Sequence, residues 1–542
     1  MDDAAQTIGT TPQLLADVVA RHGEREALVD STPPEGEVRL TWADLSERAH
    51  ALARALVAAG IEPGDRVAIW APNIWEWPVT VLGLQLAGAV LVPLNTRYKG
   101  NEAAYILNRS RAKLLFCVQG FLGNEYVTML DGHDVAALER IVVLRGEPAG
   151  SSTTCDRFMQ LDDPAHREPL DRAVAERVAA LGPDSLSDIL FTSGTTGAPK
   201  GVMCTHGQVV RAFDAWSTVV GLQADDRYLI VNPFFHAFGY KAGLVASMTK
   251  GCAMVTQAVF DVPAIMDTID REQISMIPGP PTIYQTIINH PDVGVGRFPS
   301  LRLAVTGAAV VPVELIRQMR DVLGFQTVIT GYGLTEACGI AAMCRHDDDP
   351  ETIARFSGRA IPGVELRVID DDGAEVPRGE PGEIVVRGYN VMVGYFEDPE
   401  QTAETIDPEG WLHTGDIGEM DPRGYIRITD RKKDMFIVGG FNAYPAEIES
   451  MLVAHPHIAQ AAVVGVPDER MGEVGYAFVI ARTGTAADSA EIISWSRDEM
   501  ANYKVPRHVE IVDELPTNAG GKVMRFELRD RAVATLAKGS SS

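Results

Sequence analysis

Behind Thr41 the apolar residues Leu45, Ala49, Leu52, Ala53 and Leu56 recur at helical spacing, and the run ends near Gly60. Arg66-Val67-Ala68-Ile69-Trp70 then reads as a buried strand. Val79 to Val92 is the most apolar stretch; it contains Gln85 and is bounded by Pro78 and Pro93. It is too short for a membrane span and predicts a helix followed by a core strand. Further strands are predicted at Leu114-Leu115-Phe116-Cys117 and Ile141-Val142-Val143-Leu144. Helix and strand patterns alternate, which predicts an α/β architecture with mainly parallel sheet.

A second α/β stretch is predicted from about residue 185 to 340. Its strands are Tyr228-Leu229-Ile230-Val231, Met276-Ile277 and Leu303-Ala304-Val305-Thr306, with helices at Pro263–Arg271 and Thr282–Asn289. From about residue 356 the strands shorten and turn residues multiply. Glu365–Ile369, Asp370-Asp371-Asp372-Gly373 and Glu383–Arg387 read as an antiparallel, β-barrel-like subdomain. After Asp430-Arg431-Lys432-Lys433-Asp434 the pattern restarts. A helix (Pro445–Ala454), two strands (Gln460–Val466, Gly475–Ala481), a helix (Ser489–Met500) and a strand (His508–Val512) predict a small α+β domain. The expected division is an N-terminal domain over 1–429, a hinge at 430–434 and a mobile C-terminal domain over 435–538.

Composition narrows the partners. With 542 residues, two or more domains are expected, and 46% hydrophobic content is enough for large cores. The net charge of −26, from 48 basic and 74 acidic residues, repels nucleic-acid phosphate. Cys117, Cys155, Cys204, Cys252, Cys338 and Cys344 form no C-x-x-C pair and read as reduced thiols. Met1-Asp2-Asp3 opens no secretory h-region, and the final Ser540-Ser541-Ser542 is no peroxisomal address. A cytoplasmic location is expected.

Three stretches carry the chemistry. Residues 192–201, Thr-Ser-Gly-Thr-Thr-Gly-Ala-Pro-Lys-Gly, lie between apolar Ile189-Leu190-Phe191 and Val202-Met203-Cys204. Glycines let backbone N–H groups converge, and hydroxyls with Lys200 add donors, which suits a polyphosphate. The spacing is not that of a Walker A loop. Gly331-Tyr332-Gly333-Leu334-Thr335-Glu336 offers an aromatic face, a hydroxyl and a carboxylate. One carboxylate is enough for Mg²⁺, which keeps several waters. Trp411-Leu412-His413-Thr414-Gly415-Asp416 ends on an acid after a tight turn, able to accept from a pair of hydroxyls. Each stretch alone would read as an ordinary turn; G-x-S-x-G is absent, which disfavours a serine hydrolase.

Together and in this order, they resemble the signatures of the adenylate-forming enzymes: acyl-CoA synthetases, luciferases and peptide-synthetase adenylation domains. The likeness covers about residues 10 to 530. It implies that Thr192, Ser193, Gly194, Thr195, Thr196, Gly197 and Lys200 hold the ATP phosphates. Gly307, Ala308 and Ala309 pass the adenine with Gly331, Tyr332 and Gly333, and Ile428 packs on the nucleotide. Asp416 and Arg431 face the ribose. Thr335 reaches phosphate, and Glu336 with Thr192 holds Mg²⁺. Lys522, in Pro516-Thr517-Asn518-Ala519-Gly520-Gly521-Lys522, is implied at the α-phosphate; Ala519-Gly520-Gly521 is a mild variant of the family loop. Phe235 and His236 close over the carboxylate. Gly439, Gly440, Phe441 and Asn442 face the CoA pantetheine after rotation about Lys433.

The implied reaction has two halves: a carboxylate attacks ATP to give an acyl-adenylate and pyrophosphate, and CoA then displaces AMP. Phe235, His236, Tyr240, Lys241 and Gly331 are placed in the acyl pocket; Lys241 meets either a ring oxygen or a structural carboxylate. The wording of 235–243, 278–285 and 439–447 resembles actinobacterial fatty-acid–CoA ligases, including the type acting on the bicyclic propionate left from steroid rings. A bulky alicyclic, terpenoid or fatty acid is therefore expected. An adenylate-only enzyme feeding a partner enzyme or carrier protein, and a luciferase-like oxygenase, stay open as alternatives. A homodimer and a downstream acyl-transfer enzyme stay open as partners.

Overall fold

The computed structural model describes residues 9–31, 36–193, 198–307, 311–370, 372–431, 436–443, 445–482, 484–485, 487–516, 523 and 525–539. They fall into two compact units. The first holds the chain up to Thr96, Ala104–Phe191 and Gly201–Thr429; the second holds Arg97–Ala103, Thr192–Lys200 and the chain from Asp430.

The alternating pattern produces two large sheets in the N-terminal part. One orders its strands Arg359–Ala360, Ala342–Met343, Thr327–Tyr332, Leu303–Gly307, Met276–Pro278, Arg227–Ile230, Ala253–Thr256, Glu26–Asp30 and Val38–Thr41. The strands from Thr327–Tyr332 to Glu26–Asp30 pair parallel, and antiparallel strands flank them on both sides. The other sheet centres on Leu186–Ser193, Val90–Pro93, Arg66–Trp70, Leu114–Phe121 and Arg140–Arg145. Residues 67–70 and Val90–Pro93 are apolar and buried residue by residue, as expected of parallel strands covered on both faces.

The helix behind Thr41 spans Trp42–Ala58, with Thr41 and Asp44 closing a capping box. The apolar stretch resolves into helix Glu76–Leu86, buried all round, and strand Val90–Pro93. The barrel-like subdomain is a four-stranded antiparallel sheet ordered Val364–Ile369, Gly382–Gly388, Leu412–Met420 and Ile426–Arg431. No described helix is long and apolar enough to cross a membrane.

In the second unit, Gly472–Ala481 is central: it pairs antiparallel with Ile458–Asp468 and Phe436–Val438 and parallel with His508–Ile511. Helices Pro445–Val453 and Ser489–Glu499 match the predicted ones within a residue. Helix Arg525–Gly539 is an addition that the sequence pattern does not announce. Among its described side chains, Leu528 and Ala532 are the buried ones.

Candidate active site

Three parallel strands of the sheet that runs from Arg359–Ala360 to Val38–Thr41 deliver site segments from their carboxyl ends. Arg227–Ile230 leads into Phe234-Phe235-His236, Leu303–Gly307 ends on the predicted Gly307, and Thr327–Tyr332 leads into Thr335-Glu336. Open α/β sheets bind ligands along this edge. Gly307 and Gly331 are register partners, so two of the predicted glycines stand side by side.

Gly331 and Tyr332 end their strand, and the chain turns through a short 3-10 segment, Thr335–Ala337. Gly333 must be glycine for a packing reason: a Cβ there would lie 2.1 Å from the Gly339 carbonyl oxygen. Thr335 and Glu336 are half-buried. Tyr395 donates its hydroxyl to Glu336 Oε1 at 2.9 Å, and the Met392 N–H donates to the Glu336 carbonyl at 2.8 Å. The Tyr395 bond positions a carboxylate, the kind of oxygen donor a hard cation takes.

Asp416 comes from the antiparallel sheet. It follows Gly415, whose φ of +71° places it in the left-handed region. The Gly415 N–H donates to Glu383 Oε1 at 3.0 Å, and the Asp416 N–H donates to Thr414 Oγ1 at 3.1 Å. Tyr332 donates its hydroxyl to Asp416 Oδ2 at 2.6 Å, across 84 residues of sequence. Both side chains are nearly closed to solvent, at 6% and 9% exposure. An aromatic ring and a carboxylate from two different sheets are therefore fixed as one unit. Ile428, half-buried, and Arg431 lie on the strand Ile426–Arg431, next to the strand of Asp416.

The turn carrying Phe235 and His236 hangs on Asn73, a residue that sequence reasoning missed. Asn73 Nδ2 donates to the carbonyls of Ile230 and Asn232, each at 3.0 Å, and Asn73 Oδ1 accepts from the Phe234 N–H at 2.8 Å. Trp77 stacks on Phe234 with ring centroids 4.9 Å apart. His236 caps the short helix Ala237–Gly239, its Nδ1 accepting from the Phe238 N–H at 3.2 Å. The ring keeps an exposed face but stands deep among protein atoms. Desolvation, then the Lys241 charge, pushes its pKa down to about 4, and its exposed face does not reverse that direction. The imidazole is neutral at pH 7.

Tyr240–Val245 winds as a π-helical stretch, a form found most often at functional sites. Tyr240 and Lys241 are completely buried within it. Tyr240 accepts from Gln85 Nε2 at 2.8 Å and lies 3.3 Å from Ser187 Oγ. Lys241 Nζ sits 3.0 Å from Asp188 Oδ1 and 3.6 Å from Cys338 Sγ. Of the two partners expected for Lys241, a carboxylate of the protein is the one present. Burial alone would lower this ammonium's pKa; Asp188, ahead of other neighbours, holds it well up.

Thr192 and Ser193 close the strand Leu186–Ser193, and half-buried Lys200 lies in Pro199–Thr205. Gly194, Thr195, Thr196, Gly197, Ala308, Ala309, Lys433 and Lys522 lie outside the described residues. Gly439 and Gly440 form the two-residue turn between Phe436–Val438 and Phe441–Ala443, with φ of +55° and +85°. Two left-handed residues in a two-residue hairpin call for glycine. Phe441 stacks on Tyr503 at 4.9 Å, and Asn442 lies on the same strand.

An AMP-binding enzyme model matches residues 15–396, and an AMP-binding enzyme C-terminal domain model matches 447–522. The chain belongs to the AMP-binding enzyme family. Among its relatives is a 3-[(3aS,4S,7aS)-7a-methyl-1,5-dioxo-octahydro-1H-inden-4-yl]propanoyl:CoA ligase of Rhodococcus jostii, 47% identical over 526 residues, or 96% of this chain and 98% of that one. A ligase of the same description from Mycobacterium tuberculosis is 47% identical over 521 residues, with the same coverage. Among solved structures, an amide bond synthetase of Marinactinospora thermotolerans superposes with a TM-score of 0.81 at 27% identity, covering 96% of this chain and 99% of that one. Tyr332 lies within the first match, and Asp416 and the Gly439–Gly440 hairpin lie between the two.

Proposed function

We propose that this enzyme activates a bulky alicyclic carboxylic acid with ATP and transfers the acyl group to CoA. The Tyr332–Asp416 bond carries the reading: it holds a ring for a base and a carboxylate for a ribose as one rigid nucleoside seat. In the first half-reaction a carboxylate oxygen of the acid bonds to the α-phosphorus of ATP and pyrophosphate leaves. In the second, the CoA sulfur bonds to the acyl carbon and AMP leaves. Anions meet in the first step, so positioned positive charge and N–H donors are the main catalytic need. The 192–200 loop supplies such donors, and Lys522 is assigned the charge developing at the α-phosphate. Glu336, which the resemblance pairs with Thr192, is assigned Mg²⁺, which when bound would neutralise phosphate charge; Thr335 is assigned to phosphate. Neutral His236 with Phe235 borders the acid.

The acid class rests on the two ring-propionate CoA ligases at 47% identity. Pyrophosphate release should be scanned over alicyclic, terpenoid, fatty and aromatic acids, with and without CoA. The expected result is release with a fused-ring propionate and its conversion to a CoA thioester. Release with equal efficiency from all classes would overturn the acid assignment. Adenylate that accumulates in the presence of CoA would point instead to hand-over to a partner enzyme or carrier.

Tyr332→Phe tests the nucleoside seat. A hydrogen bond to a charged group contributes roughly 1.5–3 kcal/mol, about a tenfold or larger change in equilibrium. The variant should raise KM for ATP by about that factor and leave kcat near wild type. An unchanged KM would show that Asp416 needs no help from the tyrosine.

A further inference from the structure

We propose that His455, His457 and Glu491 form a second metal site, in the C-terminal part of the chain, for a borderline transition-metal dication of the Zn²⁺ kind. The histidines flank Pro456 in the turn between helix Pro445–Val453 and strand Ile458–Asp468. Glu491 sits in the first turn of helix Ser489–Glu499. One ligand atom from each of the three lies within 4.8 Å of the others.

The site is partly built before any ion arrives. His455 is buried, edge-on to Trp495 at 5.0 Å and to His457 at 5.2 Å between ring centroids. His457 Nδ1 is closed off from solvent and has no hydrogen-bond partner. Glu491 Oε1 stands 3.9 Å from it, beyond hydrogen-bond reach. A buried nitrogen facing a carboxylate at that distance is poorly satisfied by the pair alone. Zinc bonds of roughly 2.0–2.2 Å put two ligands of one tetrahedral ion about 3.4 Å apart. The gap to be closed is therefore well under an ångström for this pair. Glu491, the most exposed of the three side chains, is the one free to adjust.

His455 brings one competing bond: its Nδ1 accepts from the His457 N–H at 3.2 Å. Ligation through the other nitrogen would protonate Nδ1 and give up that long local bond. Two imidazoles and one carboxylate suit Zn²⁺ better than Mg²⁺, which prefers oxygen and its own waters. Three protein ligands leave a position for water. An ion here would clip the His-Pro-His turn to the second helix and stabilise the small domain by mass action.

The test uses the full chain, stripped with chelator and free of ATP. Zn²⁺ is titrated at neutral pH and counted by equilibrium dialysis, and Co²⁺ substitution is followed by its visible d–d bands. One equivalent of Zn²⁺ and a Co²⁺ spectrum of four or five coordination are expected. Both should weaken about tenfold or more in His457→Ala, with apo-protein unfolding checked alongside. Glu491→Gln, at a largely exposed side chain, gives the same test should His457→Ala misfold. Absence of stoichiometric Zn²⁺, or binding undiminished in either folded variant, overturns the site.

Discussion

Lys522→Ala is expected to abolish adenylate formation while sparing thioester formation from a supplied acyl-adenylate. The reason is charge: only the first half-reaction builds negative charge at the α-phosphate against an incoming carboxylate. A lysine suits that role as a point charge on a flexible stem. Loss of one such stabilising group removes about 100-fold or more of the rate. Acid-dependent exchange of pyrophosphate into ATP should fall by at least that factor. Consumption of synthetic acyl-adenylate with CoA should stay near wild type. Exchange close to wild type would remove Lys522 from the first step.

The second large effect concerns stability. Lys241 and Asp188 are both fully buried, with 3.0 Å between Nζ and Oδ1. Removing one partner of a buried ion pair leaves an uncompensated charge and costs about 3–5 kcal/mol. Lys241→Ala should therefore unfold at much lower denaturant than wild type. The double variant Asp188→Asn, Lys241→Met should recover a large part of the loss, because no isolated charge stays inside. A single variant within about 1 kcal/mol of wild type would mean the surroundings absorb the charge in another way. The measurement should follow the transition of the N-terminal part, since a chain of several units need not unfold in one step.

Sequence periodicity sufficed where a whole face or a whole strand is buried. Trp42–Ala58 announces itself through five apolar positions, and Arg66–Trp70 through continuous apolarity. Motifs at strand ends were legible for the same reason: the strands gave their positions, and unusual glycines and hydroxyls marked the loops. Partners made by tertiary contact were not legible. Tyr395 reaches Glu336 from 59 positions away, and Asn73 reaches the Phe234 turn from 161. A lone Asn or Tyr carries no local sign of such a bond. The π-helical turn at Tyr240–Val245 has no periodicity of its own to read. Helix Arg525–Gly539 escaped because its apolar residues are interrupted by many charges; among its described side chains, Leu528 and Ala532 are the buried ones. The family resemblance sets the glycine pair Gly439–Gly440 against the CoA pantetheine. Its hairpin geometry gives a sufficient reason for both glycines, and the ligand role stands as a separate proposal.

The support of the two ends of the proposed substrate site differs in kind. Gly331, Tyr332 and Asp416 lie on paired strands, so a nucleoside seat there inherits the stiffness of two sheets. The segment from Phe235 to Val245 follows Phe234, which Asn73 holds and Trp77 stacks on, and runs through a buried π-helical turn. Mutational drift within 235–245 can reshape the acid end while the nucleotide end keeps its geometry. Such a chain is a good starting point for changing which acid is activated, because the proposed acid end and the proposed nucleoside seat are carried by different segments, which meet where Lys241 Nζ stands 3.6 Å from Cys338 Sγ. Asn73 and the Asp188–Lys241 pair mark the boundary at which such changes would begin to threaten the fold itself.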